Sequence, residues 1–237
     1  MARWRFIDSG PAAGAVNMAT DARLLEEAAA GDVLPVLRFY GWSPPSVSLG
    51  RFQDEAEAVN AGACRRRGID IVRRITGGRA VLHDRELTYS VISRIDNGLF
   101  PNDVMGTYKA IAAGLLAGLH LLGVPAEMVS RSGRYAGLVK SGPRDPACFS
   151  SPSWYEILVN GRKIAGSAQR RISGAFLQHG SILIDYDPVL EAEVIPGAGG
   201  RDTVTSIGRE AGRDMPLDEI KEAFREGFSH ALGMSFV

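Results

Sequence analysis

One continuous stretch constrains the fold more than any other part of the chain: SWYEILV, then Asn160-Gly161, then RKIAGSAQRR, then AFLQHGSILI. Asn-Gly tolerates positive φ at both positions and so suits the two-residue type I′ turn that joins adjacent antiparallel strands. Such a turn also fixes register, because a slip of one residue would send every side chain to the opposite face. The stretch therefore predicts three consecutive antiparallel strands. Further strands are expected at VLRFYGW (36–42) and SVSLGRF (46–52), joined through Pro44-Pro45, and at IDIVRRIT (69–76), RAVLHD (79–84) and LTYSVIS (87–93). A sheet of this size needs apolar helices over its faces. Residues 17–32 read as one, capped by Asn17 and stopped by Gly31, and residues 56–68 as a shorter one ending at Gly68. Residues 103–122 place Val104, Tyr108, Ile111, Leu115, Leu119 and Leu122 on one stripe. Residues 216–233 do the same with Leu217, Ile220, Phe224 and Phe228, with Pro216 in the first helical position. Residues 130–147 read as a loop. The expected class is α+β: a mixed, largely antiparallel β-sheet with helices packed on its faces, in a single domain over 1–237.

The charge balance narrows the partners. The 27 basic and 27 acidic residues cancel, which argues against broad nucleic-acid binding. Cys64 and Cys148 are the two cysteines, and they form no CxxC pair, in keeping with a reduced compartment. The start, MARWRFIDSG, has no apolar signal core, and the longest apolar run, 110–124, is too short to cross a bilayer. A soluble cytoplasmic protein is expected, with no nucleic-acid or membrane partner, no metal and no cofactor.

Four stretches are candidates for chemistry. In RRITGGRAVLHD (73–84), Gly77-Gly78 permit close backbone approach to a ligand, Arg73, Arg74 and Arg79 add positive charge, and His83 follows. A hairpin turn with solvated arginines explains the same spacing equally well. In NGRKIAGSAQRR (160–171), Gly166-Ser167-Ala168 leave room beside a strand, while Lys163 alone reads more simply as a surface lysine. His179 in LQHGSILID is either structural or functional. Cys148, in DPACFSSPSWYE, sits at a loop-to-strand junction, but no residue within three positions would activate a thiol there. Lys163 is the candidate partner from elsewhere in the fold. Cys64 falls in a helical pattern and reads as structural.

In this order, NMATDARLL, YGWSPPSVSLGRFQ, RRITGGRAVLHDRELTYSV, GRKIAGSAQRR and LQHGSILID resemble the lipoate/octanoate ligase and transferase family, which is related to biotin ligases. The resemblance spans roughly residues 15–190. ATP-using members carry a third glycine where this chain has Arg79, and Gly-Asn where it has Glu86-Leu87; they also usually carry a further C-terminal domain. ACFSSPSWYEILVNGRKIAGSAQ instead resembles the cysteine-dependent octanoyltransferases. The resemblance implies a single biotin/lipoate ligase-like catalytic domain without the accessory C-terminal domain. It implies Cys148 as the acyl-carrying nucleophile and Lys163 as the second catalytic residue. Arg74, Gly77, Gly78, Arg79, His83, Gly166, Ser167, Ala168 and His179 would bind substrate. The implied donor is octanoyl-acyl carrier protein, and the implied acceptor is a lysine of a lipoyl domain such as the glycine-cleavage H protein. Arg131, Arg134, Lys140 and Arg144 would offer a basic loop to an acidic carrier. An ATP-dependent lipoate ligase, an octanoyl amidotransferase between lipoyl domains and an inactive acyl-binding module are the alternatives. Retention of both Cys148 and Lys163 speaks against the last.

Overall fold

The computed structural model describes residues 2–31, 33–129, 156–199 and 203–237. Cys148, the basic loop and the expected loop and strand residues from 130 to 155 lie outside the described residues. In chain order the elements are β1 (Ala2–Ala12), α1 (Gly14–Ala30), β2 (Val36–Trp42), β3 (Ser46–Leu49), α2 (Glu55–Ala58), α3 (Ala61–Arg67), β4 (Asp70–Arg73), β5 (Val81–His83) and β6 (Glu86–Arg94). There follow α4 (Val104–Leu121), β7 (Glu127–Met128), β8 (Ile157–Val159), β9 (Arg162–Ile172), β10 (Ala175–Leu183), α5 (Pro188–Val194), α6 (Ile207–Ala211), α7 (Leu217–Leu232) and β11 (Met234–Phe236).

The strands form two sheets where one was expected. The larger runs β11-β1-β2-β6-β10-β9-β8-β7, and the smaller runs β4-β3-β5. The predicted antiparallel meander lies in the larger sheet, between β6 and the edge strand β7: β8 pairs with β9 and β9 with β10. The turn between β8 and β9 has φ 50° at Asn160 and 80° at Gly161, as type I′ requires. Ser173-Gly174 turns the chain again with positive φ at both residues. Two pairings differ from expectation. Strands β2 and β3 enter different sheets, so Pro44-Pro45 link the sheets and close no hairpin. Strands β4 and β5 flank β3 from opposite sides, so the Gly77-Gly78 segment crosses over β3 and is not a tight turn between paired neighbours.

Alternation along the central strands sorts side chains to two faces. Leu37 and Phe39 of β2, Leu87, Tyr89 and Val91 of β6, and Phe176 and Ile182 of β10 join one core with Ile111, Leu115 and Leu119 of α4 and Ile220, Phe224 and Phe228 of α7. Helix α4 is long and apolar enough, by length and composition, to cross a membrane; here its apolar stripe is occupied by the sheet and α7. Val104 and Leu217, at the starts of the two helices, are exposed. On the other face Leu24, Leu25 and Ala28 of α1 cover Val36, Ile92 and Leu177. Further along that face the strands turn polar: Arg38, Thr88, Ser90, His179 and Ser181 are all buried.

Asn17 does not cap α1, which starts at Gly14. Its buried amide instead donates to the carbonyls of Ala12 and Gly41 and accepts from Arg38, stitching helix to sheet. Pro216, expected in the first helical position, is instead the N-cap of α7, which starts at Leu217. Cys64 is buried in α3 within the apolar cluster that backs the small sheet. Burial pushes its thiol up, in keeping with a structural role.

Candidate active site

The two sheets enclose a cleft of about 450 Å³, part of it open to solvent. Met18, Trp42 and Val81 give it apolar wall, and Ser48, Arg74, His83, Thr88, His179 and Ser181 bring polar groups to it. Gly78 and Gly166-Ser167-Ala168 complete the lining from the backbone of the crossover and of β9. Seven of the expected substrate-binding residues thus converge: Arg74, Gly78, His83, Gly166, Ser167, Ala168 and His179.

Gly77 and Arg79 are not among the lining residues. Their carbonyls accept from Nη2 of Arg74 at 3.0 and 2.7 Å. Nη1 of Arg74 donates to the carbonyl and the Oγ of Ser48 at 2.8 and 3.0 Å. The arginine is buried; it staples the crossover to β3 and is not the solvated residue of the hairpin reading. Gly180 of β10 also lines the cleft, and it packs closely on β9 and β6. A Cβ there would lie 2.5 Å from the Gly166 carbonyl oxygen and 2.7 Å from the Tyr89 ring.

His179 is both structural and a wall of the cleft. Its Nδ1 lies 3.0 Å from Oδ2 of Asp21 and its Nε2 2.8 Å from Oγ1 of Thr76. Asp21, fully buried on α1, also accepts from Arg38 at 2.7 Å, Tyr40 at 3.0 Å and Ser90 at 2.8 Å. Burial would raise its carboxyl, but the hydrogen bond and charge of His179, the charge of Arg38 and the bond from Ser90 outweigh it and hold the carboxyl below its ordinary value. This cluster locks α1 to β2, β6 and β10 beneath the cleft floor.

His83 stacks on Trp42 at 3.9 Å between ring centroids. Its Nε2 lies 2.8 Å from Oγ of Ser48, and its Nδ1 3.2 Å from Oε1 of Glu86. Glu86 also accepts from Thr88 and Ser181. Burial, outweighing the attraction of Glu86, keeps the His83 imidazole below its ordinary range. Opposite, Tyr89 and Ser167 share a hydroxyl hydrogen bond at 2.6 Å. Burial pushes the Tyr89 hydroxyl to about 12, so it keeps its proton at neutral pH.

Lys163 is not a surface residue: it is 1% exposed, and its Nζ donates to Oε1 of Glu156 at 2.6 Å. Its backbone pairs with Thr203 and Thr205, so a distant part of the chain walls it in. Lys163 is not among the lining residues of the cleft and lies three positions along β9 from Gly166. Ser48, Glu86, Asp21 and Glu156 were missed as site residues in the sequence. The alternation of Glu86, Thr88 and Ser90 in a strand otherwise apolar was the available signal.

Residues 13–229 match the family described as lipoyl protein ligase A/B catalytic domain. Octanoyltransferase LipM of Geobacillus kaustophilus is 42% identical over 241 residues, covering 98% of this chain and 87% of that protein. Octanoyltransferase LipM of Bacillus subtilis is 41% identical over 242 residues, with coverage of 98% and 87%. A crystal structure of lipoate-protein ligase A bound with ATP matches with a TM-score of 0.81 and 26% identity, over 100% of this chain and 88% of that one.

Proposed function

The chain belongs to the lipoyl protein ligase A/B catalytic-domain family, and from that premise we propose that it moves an octanoyl group from octanoyl-acyl carrier protein, through a thioester on Cys148, to a lysine of a lipoyl domain. The glycine-cleavage H protein is the acceptor of this reading, and residues 1–237 act as one catalytic domain. The observation that carries it is the identity of about two residues in five, over nearly the whole chain, to relatives named octanoyltransferase.

The chemistry runs downhill from thioester to amide, so it needs no ATP. A cysteine acyl-enzyme divides the transfer into two bimolecular steps, and the two protein substrates need not bind together. In the first step the Cys148 sulfur bonds the octanoyl carbon and the carrier thiol leaves. In the second the lysine nitrogen bonds that carbon and the Cys148 sulfur leaves. A lysine cation near a thiol raises its thiolate fraction, which is the role assigned to Lys163. The cleft suits the acyl chain: apolar walls at Met18, Trp42 and Val81 and close backbone at Gly78 and Gly166. Each buried methylene contributes about 0.8 kcal/mol.

The test is an ATP-free assay with octanoyl-acyl carrier protein and H protein. Octanoylated H protein should form, and Cys148→Ala should abolish it. Modification that requires free octanoate and ATP would favour the ligase reading instead.

A further inference from the structure

We propose that Ser48, His83 and Glu86 form a proton relay that receives the proton shed by the acceptor lysine as its amide bond forms. The inference rests on the octanoyl-transfer reading above and assigns residues to its second step.

Hydrogen-bond accounting gives the relay a direction. The Arg74 guanidinium can only donate, so Ser48 Oγ accepts from it at 3.0 Å. The single Ser48 proton is then directed to Nε2 of His83, 2.8 Å away. Nε2 is the accepting nitrogen, so the ring proton sits on Nδ1 and points at the Glu86 carboxylate 3.2 Å away. One Ser48 lone pair remains for a proton from the cleft, which Ser48, His83 and Arg74 all line. Trp42 stacked on the imidazole fixes the ring plane, and Thr88 and Ser181 fix Glu86. Among the described residues, the charged and titratable groups facing His83 are Glu86 from β6, Arg74 from the crossover and His179 from β10. Burial is the largest influence and keeps the imidazole neutral and ready to accept at neutral pH.

The step balances. The acceptor arrives as an amine, having lost its ammonium proton to water. Its nitrogen bonds the octanoyl carbon, and the carbon–sulfur bond breaks with its electron pair on Sγ of Cys148. The surplus proton on nitrogen passes to Ser48 Oγ as the Ser48 proton passes to His83 Nε2. Glu86 stabilises the resulting imidazolium, which later releases its proton to solvent. Lys163 is left to the thiolate, since its Nζ already donates to Glu156.

The test separates the two steps. Cys148 is loaded from octanoyl-acyl carrier protein, the donor is removed, and either H protein or hydroxylamine is added. Hydroxylamine is weakly basic, so water can take its proton without a relay. In Ser48→Ala and Glu86→Gln, transfer to H protein should fall about 10²-fold, the usual size of a general-base contribution, while transfer to hydroxylamine stays within about threefold of wild type. Thermal unfolding of each variant checks that the fold is retained. If lysine and hydroxylamine transfer fall together, or if neither falls, the relay is refuted while acylation of Cys148 still stands. A wild-type enzyme that never acquires octanoyl on Cys148 refutes the transfer reading and the relay with it.

Discussion

Asp21→Asn should destabilise the fold more than any single change at the cleft mouth. Asp21 and Arg38 are both buried, at 0% and 1% exposure, and pair at 2.7 Å. Neutralising Asp21 leaves the guanidinium buried without its counter-charge, and it sets an amide where Tyr40, Ser90 and His179 now meet a carboxylate. Breaking a buried pair in this way costs about 3–5 kcal/mol. In a domain of this size each kcal/mol moves Tm by about 2–4 °C, so Tm should fall by about 6–20 °C. Circular dichroism melts and urea titrations at pH 7 would measure it. Arg38→Met combined with Asp21→Asn should lose less than the sum of the two single changes, by about 0.5–3 kcal/mol. The sign with pH follows from the carboxyl being held below its ordinary value of 3.8. The contribution is fully present above that value and is lost as pH falls from it through the lower folded value. The gap between wild type and Asp21→Asn should therefore narrow only below about pH 4. Additive losses in the double variant, or a gap already closing at pH 6, would refute the reasoning.

Other expectations are equally concrete. Gly180→Ala should cost about 1–3 kcal/mol and push on the β9 backbone that lines the cleft, because the new methyl meets the Gly166 carbonyl and the Tyr89 ring; octanoyl transfer should suffer more than acetyl transfer from matched carriers. Lys163→Arg keeps a cation but should not restore full activity, since the bulkier guanidinium must enter a site where Lys163 is buried; single-turnover acylation of Cys148 would show it. The His83 imidazole lies below its ordinary 6.5, so the rate of the lysine-transfer step, once divided by the fraction of acceptor lysine present as free amine at each pH, should hold as pH drops to that value and decline only below it. A decline centred above 6.5 would point to another base. Charge reversal at two of Arg131, Arg134, Lys140 and Arg144 should lower kcat/KM with carrier-bound donor and spare a small octanoyl thioester; equal losses would mean that the segment shapes the site.

What was legible in the sequence was local. Asn160-Gly161 dictated a turn whose positive φ values the structure repeats, and β8, β9 and β10 pair antiparallel around it and the following turn. Strand β1 was not legible. Its polar sequence RWRFIDSG lies beside β2 on one side and the last strand, β11, on the other. That pairing joins the two ends of the chain, and no local pattern announces it. Lys163 read as exposed because its burial comes from Glu156, on the other side of the turn, and from residues 203–205, remote in sequence. Nothing in the local sequence marks Asp21, because only the packing of α1 over β2 sets it against Arg38. Among the cleft residues, the glycines and histidines stood out by type. Ser48 and Glu86 did not, because ordinary polar residues acquire their meaning only when β3, β5 and β6 bring them together.

The acyl-enzyme is the centre of the account, and mass spectrometry tests it directly. The purified protein is mixed with octanoyl-acyl carrier protein in the absence of ATP, quenched in acid and digested. The account predicts one octanoyl group on the peptide carrying Cys148, none on the peptide carrying Cys64, and loss of the adduct when H protein is added before the quench. An unmodified Cys148 peptide beside octanoylated H protein would contradict it, because transfer would then proceed without the thioester.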